Sequence, residues 1–444
     1  MTQKKYFGTD GVRGRVGDDH ICPDFMLKLG FAVSSVLIES NHHVPHVLIG
    51  CDPRVSSEAL QAKLTEGLLC AGVNVSNVGV MPTPAIAYFT QQLHADAGIV
   101  ISASHNPYQD NGVKFIGRDG TKLSDAWEIA IENRIDRINS VPNHQIGTEK
   151  TITDAAQQYS QYCLNLFSSL HLKNYKFIID CANGSTSFIA PAIFQSLHAD
   201  VIAIHNQPNG YNINDHCGAT DMDSLRECVL HEKADIGLAF DGDGDRLLMI
   251  DHRGKRVDGD EILCILASYQ NTHTGVIGTL MSNVGLEKTL RAQHILFERA
   301  AVGDRYVLEK MQEKKWMLGG EASGHIINFH YGPAGDGILT ALQVLQVMQN
   351  TKKDLHALKK VMRKHPQVLI NVAVDNPKRF SEMSAITDAI AKAEFNLNGS
   401  GRILLRASGT ESCVRVMVEC HEAMQAKKIA NELAKIVKHS FFGS

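Results

Sequence analysis

The chain alternates short apolar runs with longer stretches of helical periodicity, and this alternation constrains its fold more than any other feature. A strand that leads through a helix to a second strand forms a right-handed crossover, which places both strands parallel in one sheet. The sequence therefore predicts an α/β protein with mixed, mainly parallel sheets. The clearest strand and helix pairs are 47–50 with 58–70, 98–101 with 124–135, and 176–180 with 187–197.

The length of 444 residues exceeds what one hydrophobic core supports, so several domains are expected. Polar segments interrupt the periodic pattern near residues 153, 253 and 367. The last unit combines three predicted strands, 368–374, 401–407 and 414–419, with two helices, 381–393 and 423–437. The predicted domains are three α/β units, 1–153, 154–253 and 254–367, and a smaller C-terminal α+β unit, 368–444.

Composition excludes several classes of protein. The net charge is -4 and there is no long basic run, which argues against nucleic acid as the main partner. No apolar run approaches membrane-spanning length, and residues 1–8 lack the apolar core of a signal peptide, so we expect no membrane partner and a cytoplasmic location. The ten cysteines include no Cys-x-x-Cys pair, which favours buried thiols.

One acidic segment, Asp241 to Arg246, reads Asp-Gly-Asp-Gly-Asp-Arg and directly follows an apolar run. Three carboxylates at alternate positions repel one another unless a hard divalent cation lies among them, and the glycines let the backbone bend enough to converge the oxygens. An EF-hand would need Gly and Glu where this chain has Arg246 and His252. The pattern predicts a metal loop at a strand end, with a solvated acidic turn as the alternative.

A second polar loop, Ser102 to Pro107, follows another apolar strand. It places the hydroxyl of Ser104 beside His105, a candidate nucleophile next to a candidate acid/base group. Lys114 would return beside Ser104 if Asn111-Gly112 formed a hairpin turn. A serine in a capped turn and an exposed edge-strand lysine are the structural alternatives.

A loop near the C-terminus contains the parts of a phosphate site. Arg406, Ser408, Gly409 and Thr410 come directly after the apolar stretch 403–405 of a predicted strand, and Arg415 lies shortly after them. Guanidinium forks, hydroxyls and backbone amides match the oxygens of a phosphate. A surface loop with a chance pair of arginines is the alternative.

Two further loops are candidates for binding sugars or anions. The segment 320–325 carries Glu321, Ser323 and His325, whose side chains can hydrogen-bond sugar hydroxyls. Arg13 lies in a glycine-rich segment near the N-terminus. The alternatives are an ordinary turn at 320–325 and a purely structural Asp-Gly turn near Arg13.

Taken in order, these loops resemble the motifs of the α-D-phosphohexomutase superfamily, and the match runs from Tyr6 to the last strand. Within the superfamily, the segments 7–14, 279–286 and 302–307 are most similar to the bacterial branch that acts on glucosamine phosphates. The resemblance implies a heart-shaped chain of four domains, monomeric or homodimeric, with one loop from each domain lining a central cleft.

The resemblance also implies the cofactors. Ser104 is the residue that carries a phosphoryl group in this superfamily. One Mg²⁺ per active site is held by Asp241, Asp243, Asp245 and a phosphoryl oxygen on Ser104. A sugar 1,6-bisphosphate serves as intermediate and activator.

Roles for the remaining loops follow from the same resemblance. Two arginines support the transferred group, three side chains are candidates for proton transfer, and two loops bind the substrate. The supporting arginines are Arg13 and Arg246; the acid/base candidates are Lys114 and His105, with His325 possible; Glu321, Ser323 and His325 hold the sugar; and Arg406, Ser408, Gly409, Thr410 and Arg415 hold the phosphate that is not reacting.

The implied reaction interconverts glucosamine 6-phosphate and glucosamine 1-phosphate, an amino-sugar step that supplies UDP-N-acetylglucosamine synthesis. A phosphomannomutase or phosphoglucomutase, a serine-dependent sugar phosphatase, and a non-catalytic binder of sugar phosphates remain as alternatives. The chain departs from the usual pattern at Ser412, where the superfamily generally has Pro, and at Pro53, where Thr is usual. Ala322 occupies a position that varies among subfamilies, which bears on the preference for an amino sugar.

Overall fold

The computed structural model describes residues 4–8, 10–142, 144, 146–270, 274–408 and 412–443. These residues form four β-sheets, each built from one consecutive stretch of the chain. Parallel and antiparallel pairs mix in the first three sheets, whereas the fourth is antiparallel. The predicted class, three α/β units and a smaller α+β unit, is confirmed.

The first sheet has six strands, and its parallel centre is extended on one side by an antiparallel hairpin. Its elements are β1 (Val12–Arg15), α1 (Pro23–Ser40), β2 (His46–Cys51), α2 (Ser57–Cys70), β3 (Asn74–Val80), α3 (Thr83–Gln92), β4 (Ala97–Ile101), β5 (Asp110–Gly117), α4 (Asp125–Ile135) and β6 (Glu149–Thr151). The strand order is β1-β5-β4-β2-β3-β6.

The second sheet has five strands in the order β11-β10-β9-β7-β8. Its elements are α5 (Ala155–Leu166), β7 (Lys176–Asp180), α6 (Ala190–Ser196), β8 (Asp200–Ile204), a 3₁₀ turn (Gly218–Thr220), α7 (Asp223–His231), β9 (Ile236–Phe240), β10 (Leu247–Asp251) and β11 (Arg256–Val257). Since β11 pairs with β10 in this sheet, the second sheet extends past residue 253. The domain division placed there stays a prediction, as do the other two.

The third and fourth sheets have four and three strands, in the orders β13-β12-β14-β15 and β16-β18-β17. The third unit contains α8 (Gly259–Tyr269), β12 (Gly275–Thr279), α9 (Val284–Ala292), β13 (Leu296–Ala300), α10 (Asp304–Lys314), β14 (Leu318–Gly320), β15 (Ile326–Asn328), α11 (Gly337–Thr351) and α12 (Leu355–Lys359). The fourth contains β16 (Gln367–Ala373), a 3₁₀ helix (Pro377–Glu382), α13 (Ser384–Leu397), β17 (Gly401–Ala407), β18 (Cys413–Cys420) and α14 (Ala423–Phe442).

The first three sheets share one four-strand pattern. A parallel trio is followed by an antiparallel hairpin in the orders β3-β2-β4-β5, β8-β7-β9-β10 and β13-β12-β14-β15. The connection within each hairpin is one of the predicted polar loops: 102–109, 241–246 or 321–325. The serine, metal and sugar loops therefore occupy equivalent positions in three similar units.

Burial explains why β4 and β9, the strands that lead into the serine and metal loops, consist only of apolar residues and glycine. Every residue of β4 and of β9 is buried, as expected for strands covered on both faces. One apolar cluster joins side chains of the first three units, including Val100, Phe240 and Leu318. The C-terminal sheet packs instead on its own cluster around Val416.

Three further expectations can be compared with the described residues. All ten cysteines are free thiols, and all but Cys22 and Cys228 are buried, as predicted. No helix within the described part of the chain is long and apolar enough to cross a membrane. The predicted hairpin turn at Asn111-Gly112 is wrong, because both residues lie in β5 and the turn precedes them.

Glycine at position 112 has a packing reason rather than a turn reason. A Cβ atom there would lie 2.8 Å from the backbone oxygen of Val12 and 2.9 Å from that of Ser102. The two neighbouring segments therefore approach β5 too closely for any side chain.

The predicted start of a helix at 381 is three residues early, since a 3₁₀ helix precedes α13.

Candidate active site

The site forms where the serine loop of the first unit meets the metal loop of the second. The hydroxyl of Ser104 donates a hydrogen bond of 2.8 Å to Oδ2 of Asp241. Ser104 is buried and has a backbone φ of +52°, in the left-handed region that few non-glycine residues adopt. A strained, buried serine held against a carboxylate marks this position as more than a turn residue.

The three aspartates of the metal loop converge. Asp241, Asp243 and Asp245 are buried, and one oxygen from each lies within 4.8 Å of the others. Burial, followed by the charges of Asp245 and Asp243, raises the pKa of Asp241 well above its usual range. Oδ1 of Asp243 and Oδ1 of Asp245 are buried with no hydrogen-bond partner among the described residues.

These observations test whether the residues fit a metal. Buried carboxylate oxygens without donors are costly, and all three residues offer the hard oxygen ligands that Mg²⁺ prefers. The chain therefore fits a divalent cation coordinated by Asp241, Asp243 and Asp245. The flanking elements are the strands β9 and β10 rather than helices, which agrees with the sequence argument against an EF-hand.

Lys114 lies inside this cluster rather than on an exposed edge. Its Nζ donates to Oδ2 of Asp243 at 2.6 Å and lies 3.4 Å from Oδ2 of both Asp245 and Asp10. Burial opposes the ammonium charge, yet the carboxylates of Asp10, Asp243 and Asp245 together raise the pKa of Lys114. The lysine is therefore a buried cation that neutralises part of the acidic cluster.

Thr83 is a site residue that the sequence did not indicate. Its backbone N–H donates to the carbonyl oxygen of Asp243 at 2.9 Å, and its hydroxyl donates to Oδ2 of Asp243 at 2.5 Å. Thr83 begins α3 just after Pro82. A threonine at the start of a helix is so common that it carries no signal of function.

Both candidate arginines lie beside the serine and metal loops. Nε of Arg246 is 3.8 Å from Oδ2 of Asp241 and 3.8 Å from Oδ1 of Asp245, and its backbone N–H donates to Oδ1 of Asp241 at 3.1 Å. The guanidinium of Arg13 pairs with Asp10 and lies 3.4 Å from the carbonyl oxygen of Ala103. Positive charge thus borders the site on two sides.

The two candidate histidines have opposite electrostatic surroundings. Nδ1 of His105 is 3.4 Å from Oγ of Ser104, and burial, with Arg246 and Arg13, lowers its pKa to about 4. Nδ1 of His325 is 3.6 Å from Oδ2 of Asp245. Although burial opposes its charge, Asp245 and nearby carboxylates raise the pKa of His325 to about 9.

The sugar loop is held edge to edge with the metal loop. Arg246 and His325 form an isolated antiparallel bridge, and the backbone N–H of Leu247 donates to the carbonyl oxygen of Gly324 at 3.0 Å. Oε1 of Glu321 accepts a hydrogen bond of 3.0 Å from the backbone N–H of Gly303. Ser323 is half-buried in the same connection.

A chain of alternating charges connects the first and third units beneath this loop. Lys122 pairs with Asp10 on one side and lies 2.6 Å from Oδ2 of Asp304 on the other. Asp304 in turn lies 3.7 Å from Nε2 of His325. Lys122 and Asp304 were not predicted as site residues. Lys122 lies in a polar segment without a motif, and the segment 302–307 supported the resemblance without giving Asp304 a role.

The phosphate loop belongs to the separate C-terminal sheet. Arg406 and Arg415 face each other across the β17–β18 ladder, and the backbone N–H of Ser408 donates to Cys413 at 2.9 Å. Nε of Arg406 is buried and has no hydrogen-bond partner among the described residues, while burial and Arg415 lower the pKa of Arg406. Gly409 and Thr410 lie outside the described residues.

A second set of potential ligands, Asp180, His205 and Cys217, lies in the second unit with ligand atoms within 4.8 Å of one another. Both oxygens of Asp180 already accept hydrogen bonds of 2.9 Å, from the backbone N–H groups of Ala182 and Gly218. Burial raises the pKa of the Cys217 thiol to about 12. The two hydrogen bonds give Asp180 a structural task, which is to fix the turns at Ala182 and Gly218.

Comparison with known protein families decides the membership of the chain. Its four parts match the four domains described for phosphoglucomutase/phosphomannomutase: alpha/beta/alpha domains I, II and III at residues 4–142, 156–254 and 258–365, and the C-terminal domain at 369–436. The chain belongs to the phosphoglucomutase/phosphomannomutase family. The predicted membership of the α-D-phosphohexomutase superfamily is confirmed, and the protein is an isomerase.

Curated relatives support the predicted branch of this family. A phosphoglucosamine mutase from Coxiella burnetii is 53% identical over 445 residues, which cover 99% of each chain. A phosphoglucosamine mutase from Actinobacillus succinogenes is 51% identical over 449 residues, covering 99% of this chain and 100% of that protein. The expected similarity to the branch that acts on glucosamine phosphates is confirmed.

Solved structures support the fold. A phosphoglucomutase/phosphomannomutase family protein from Burkholderia thailandensis has a TM-score of 0.83 at 22% identity, covering 100% of this chain and 99% of that one. The N-acetylphosphoglucosamine mutase of Aspergillus fumigatus, solved with GlcNAc-6P and magnesium, has a TM-score of 0.70 at 16% identity, covering 99% and 96%. At these identities the likeness establishes the shared four-unit architecture.

Proposed function

We propose that this protein interconverts glucosamine 6-phosphate and glucosamine 1-phosphate through a phosphorylated Ser104 and a glucosamine 1,6-bisphosphate. The observation that carries the proposal is the contact between the hydroxyl of Ser104 and Oδ2 of Asp241, 2.8 Å long, at the edge of three convergent carboxylates. A phosphoryl group on Ser104 would lie beside Asp241, Asp243 and Asp245, the residues that would hold a cation.

The proposed cycle has two half-reactions that mirror each other. A free hydroxyl oxygen of the sugar phosphate attacks the phosphorus on Ser104, the bond from phosphorus to Oγ breaks, and a sugar bisphosphate forms. The bisphosphate reverses its orientation in the site, and Oγ of Ser104 attacks its other phosphorus. The bond from that phosphorus to the sugar oxygen breaks, which restores phosphoserine and releases the isomer. Each half-reaction removes one hydroxyl proton and returns one proton to an oxygen.

Protein groups around Ser104 serve this transfer. When bound by Asp241, Asp243 and Asp245, Mg²⁺ supplies charge neutralisation for the transferring group. Arg246 and Arg13 add positive charge beside the same loop. For proton transfer we propose His105, which is 3.4 Å from the reacting oxygen, and Lys114, whose ammonium lies among the carboxylates; His325 is a third candidate.

Substrate recognition is assigned to two loops from different units. Glu321, Ser323 and His325 lie on the loop paired with the metal loop, where they would hold ring hydroxyls. The guanidinium groups of Arg406 and Arg415 would hold the phosphate that is not reacting, with Ser408 and the backbone of Gly409 and Thr410. Because the C-terminal sheet has its own core, it could move as a unit to cover the substrate.

The preference for an amino sugar rests on the curated relatives, which are named phosphoglucosamine mutases and are 51–53% identical over nearly the whole chain. A neutral hexose phosphate is the alternative that the site chemistry alone leaves open. The cytoplasmic location and the monomeric or homodimeric state stay predictions.

The test is a substrate panel with the full-length enzyme, Mg²⁺ and a trace of sugar 1,6-bisphosphate. We expect the largest kcat/KM with glucosamine 6-phosphate, and isomerised product without accumulation of inorganic phosphate. A larger kcat/KM with glucose or mannose 6-phosphate would reject the amino-sugar assignment. Release of inorganic phosphate as the main product would favour the phosphatase alternative.

A further inference from the structure

One buried guanidinium, that of Arg54, uses all five of its donors within the protein, three of them on the serine loop. Nε donates to Oδ2 of Asp52 at 2.8 Å. Nη1 donates to the carbonyl oxygens of Pro107 and Asp110 at 2.5 and 3.0 Å, and Nη2 to those of Ser104 and Asn106, both at 2.9 Å. Arginine has five N–H donors, so none is left for substrate.

The same network fixes the other side of the Ser104 peptide. Asp52 accepts a hydrogen bond of 2.6 Å from the hydroxyl of Ser102. The Ser102 hydroxyl oxygen in turn accepts a hydrogen bond of 2.9 Å from the backbone N–H of Ser104. Asp52, Arg54 and Ser102 are buried. Ser102 therefore has a structural task that its place in the motif does not reveal.

A residue from the second unit donates to two of the carbonyl oxygens that Arg54 also holds, those of Ser104 and Asn106. Nδ2 of Asn214 donates to the carbonyl oxygen of Ser104 at 2.9 Å and to that of Asn106 at 3.0 Å. Its backbone N–H donates to the carbonyl oxygen of Ala182 at 2.9 Å, which anchors it near the carboxyl end of β7. The serine loop is thus tied to the unit that carries the metal loop.

We propose that Arg54 and Asn214 are positioning residues, which hold Ser104 in its left-handed conformation so that Oγ faces the three aspartates in both half-reactions. This inference rests on Ser104 as the phosphoryl carrier. A non-glycine residue with positive φ persists only where its surroundings over-determine it. Donors to the Ser104 carbonyl, from both units, supply that constraint without touching the transferred group.

The geometry predicts a specific kinetic effect. A displacement of Oγ by about 1 Å costs phosphoryl transfer about 100-fold, whereas the loops that bind the sugar and distal phosphate are untouched. Arg54→Lys keeps the charge but offers three donors in place of a planar fork of five. We expect kcat to fall about 100-fold and KM for glucosamine 6-phosphate to change less than about threefold.

The direct measurement is the rate at which each variant accepts a phosphoryl group on Ser104 from glucosamine 1,6-bisphosphate, followed by intact mass. Arg54→Lys and Asn214→Ala should both slow this loading, the latter by about tenfold because Arg54 still holds both carbonyls. Arg305→Lys is the matched control, since Arg305 is also buried and donates to the carbonyl oxygen of Leu123. It should lower thermal stability and leave the loading rate unchanged.

Loading at the wild-type rate by folded Arg54→Lys, or an effect confined to KM, would overturn the proposal. If Arg54→Lys yields no folded protein, Asn214→Ala decides, and wild-type loading by that variant would overturn it. Absence of phosphate on Ser104 in the wild-type enzyme would instead reject the proposed function itself. The two failures are therefore distinguishable.

Discussion

The hydroxyl of Ser104 and the carboxylate of Asp241 are hydrogen-bonded at 2.8 Å although 137 positions separate them in the chain. They come from equivalent hairpin connections in the first and second units, β4–β5 and β9–β10. The proposed nucleophile and the proposed metal ligands are therefore in direct contact between the first and second units.

Replacing Ser104 with Ala removes the only atom of that side chain that can carry phosphate. We expect turnover to fall at least about 1,000-fold, as when other covalent catalysts lose their nucleophile, with a folded protein that no longer takes up a phosphoryl group. Steady-state kinetics and intact mass check both points. The control is Ser168→Ala, which changes an exposed serine in the second unit. Near-normal turnover by Ser104→Ala would exclude Ser104 as the phosphoryl carrier.

Asp243→Asn keeps the size of the side chain and removes its charge. Since Oδ2 of Asp243 also accepts from Lys114 and Thr83, the amide can retain part of that packing while it weakens the hold on a cation. We expect the Mg²⁺ concentration for half-maximal activity to rise by more than about tenfold. Asp215→Asn, an exposed carboxylate, should leave the Mg²⁺ titration unchanged, and an unshifted titration for Asp243→Asn would remove the residue from the metal site.

Arg415→Ala should act on binding more than on chemistry. A hydrogen bond to a charged group contributes about 1.5–3 kcal/mol, so the loss of one guanidinium predicts a rise in KM for glucosamine 6-phosphate of about 10- to 100-fold. The matched control is Arg379→Ala, an exposed arginine of the same unit. If KM stays at the wild-type value in Arg415→Ala, the phosphate site lies elsewhere.

Asp336, whose neighbour Gly337 donates a backbone hydrogen bond to Gly244 of the metal loop, gives a prediction about the pH dependence of stability. Burial raises its pKa to about 6 from 3.8, against the hydrogen bond from Tyr159, so the folded state holds a proton that the unfolded state loses at lower pH. Its contribution to the free energy of unfolding is complete below about pH 4 and is lost as pH rises through 6.

Asp336→Asn isolates this contribution. The amide stays neutral and its oxygen can still cap α11, where Oδ1 of Asp336 accepts from Leu339 at 2.9 Å. In thermal melts from pH 4 to pH 7, the melting temperature of the wild type should fall relative to that of the variant as pH rises. A constant difference between the two proteins across this range would show that Asp336 does not titrate there.

Much of the fold follows from the sequence because it depends on local patterns. The apolar runs that lead into Ser102 and Asp241 are buried strands, as their composition predicts. The antiparallel partner of each was harder to predict, because a hairpin with a loop of six to eight residues lacks the short turn signal of a two-residue connection. The Asn111-Gly112 pair imitates that signal but lies inside β5.

The parts of the site that sequence did not reveal are those assembled from distant segments. Thr83 reaches Asp243 across 160 positions and Asn214 reaches Ser104 across 110. No spacing rule connects such pairs, and each residue has an ordinary local explanation. Pro53 stood out in the sequence only as a departure from the superfamily pattern, whereas the structure shows its neighbours Asp52 and Arg54 hydrogen-bonded to the serine loop.

The most direct test of the account follows one phosphoryl group. The wild-type enzyme is loaded with labelled glucosamine 1,6-bisphosphate in the presence of Mg²⁺, and the labelled residue is located by peptide mapping. Unlabelled glucosamine 6-phosphate is then added. We expect the label on Ser104, and we expect it to pass to the sugar, first in the bisphosphate and then in the isomerised product. Label on another residue, or label on Ser104 that leaves only as inorganic phosphate, would contradict this expectation.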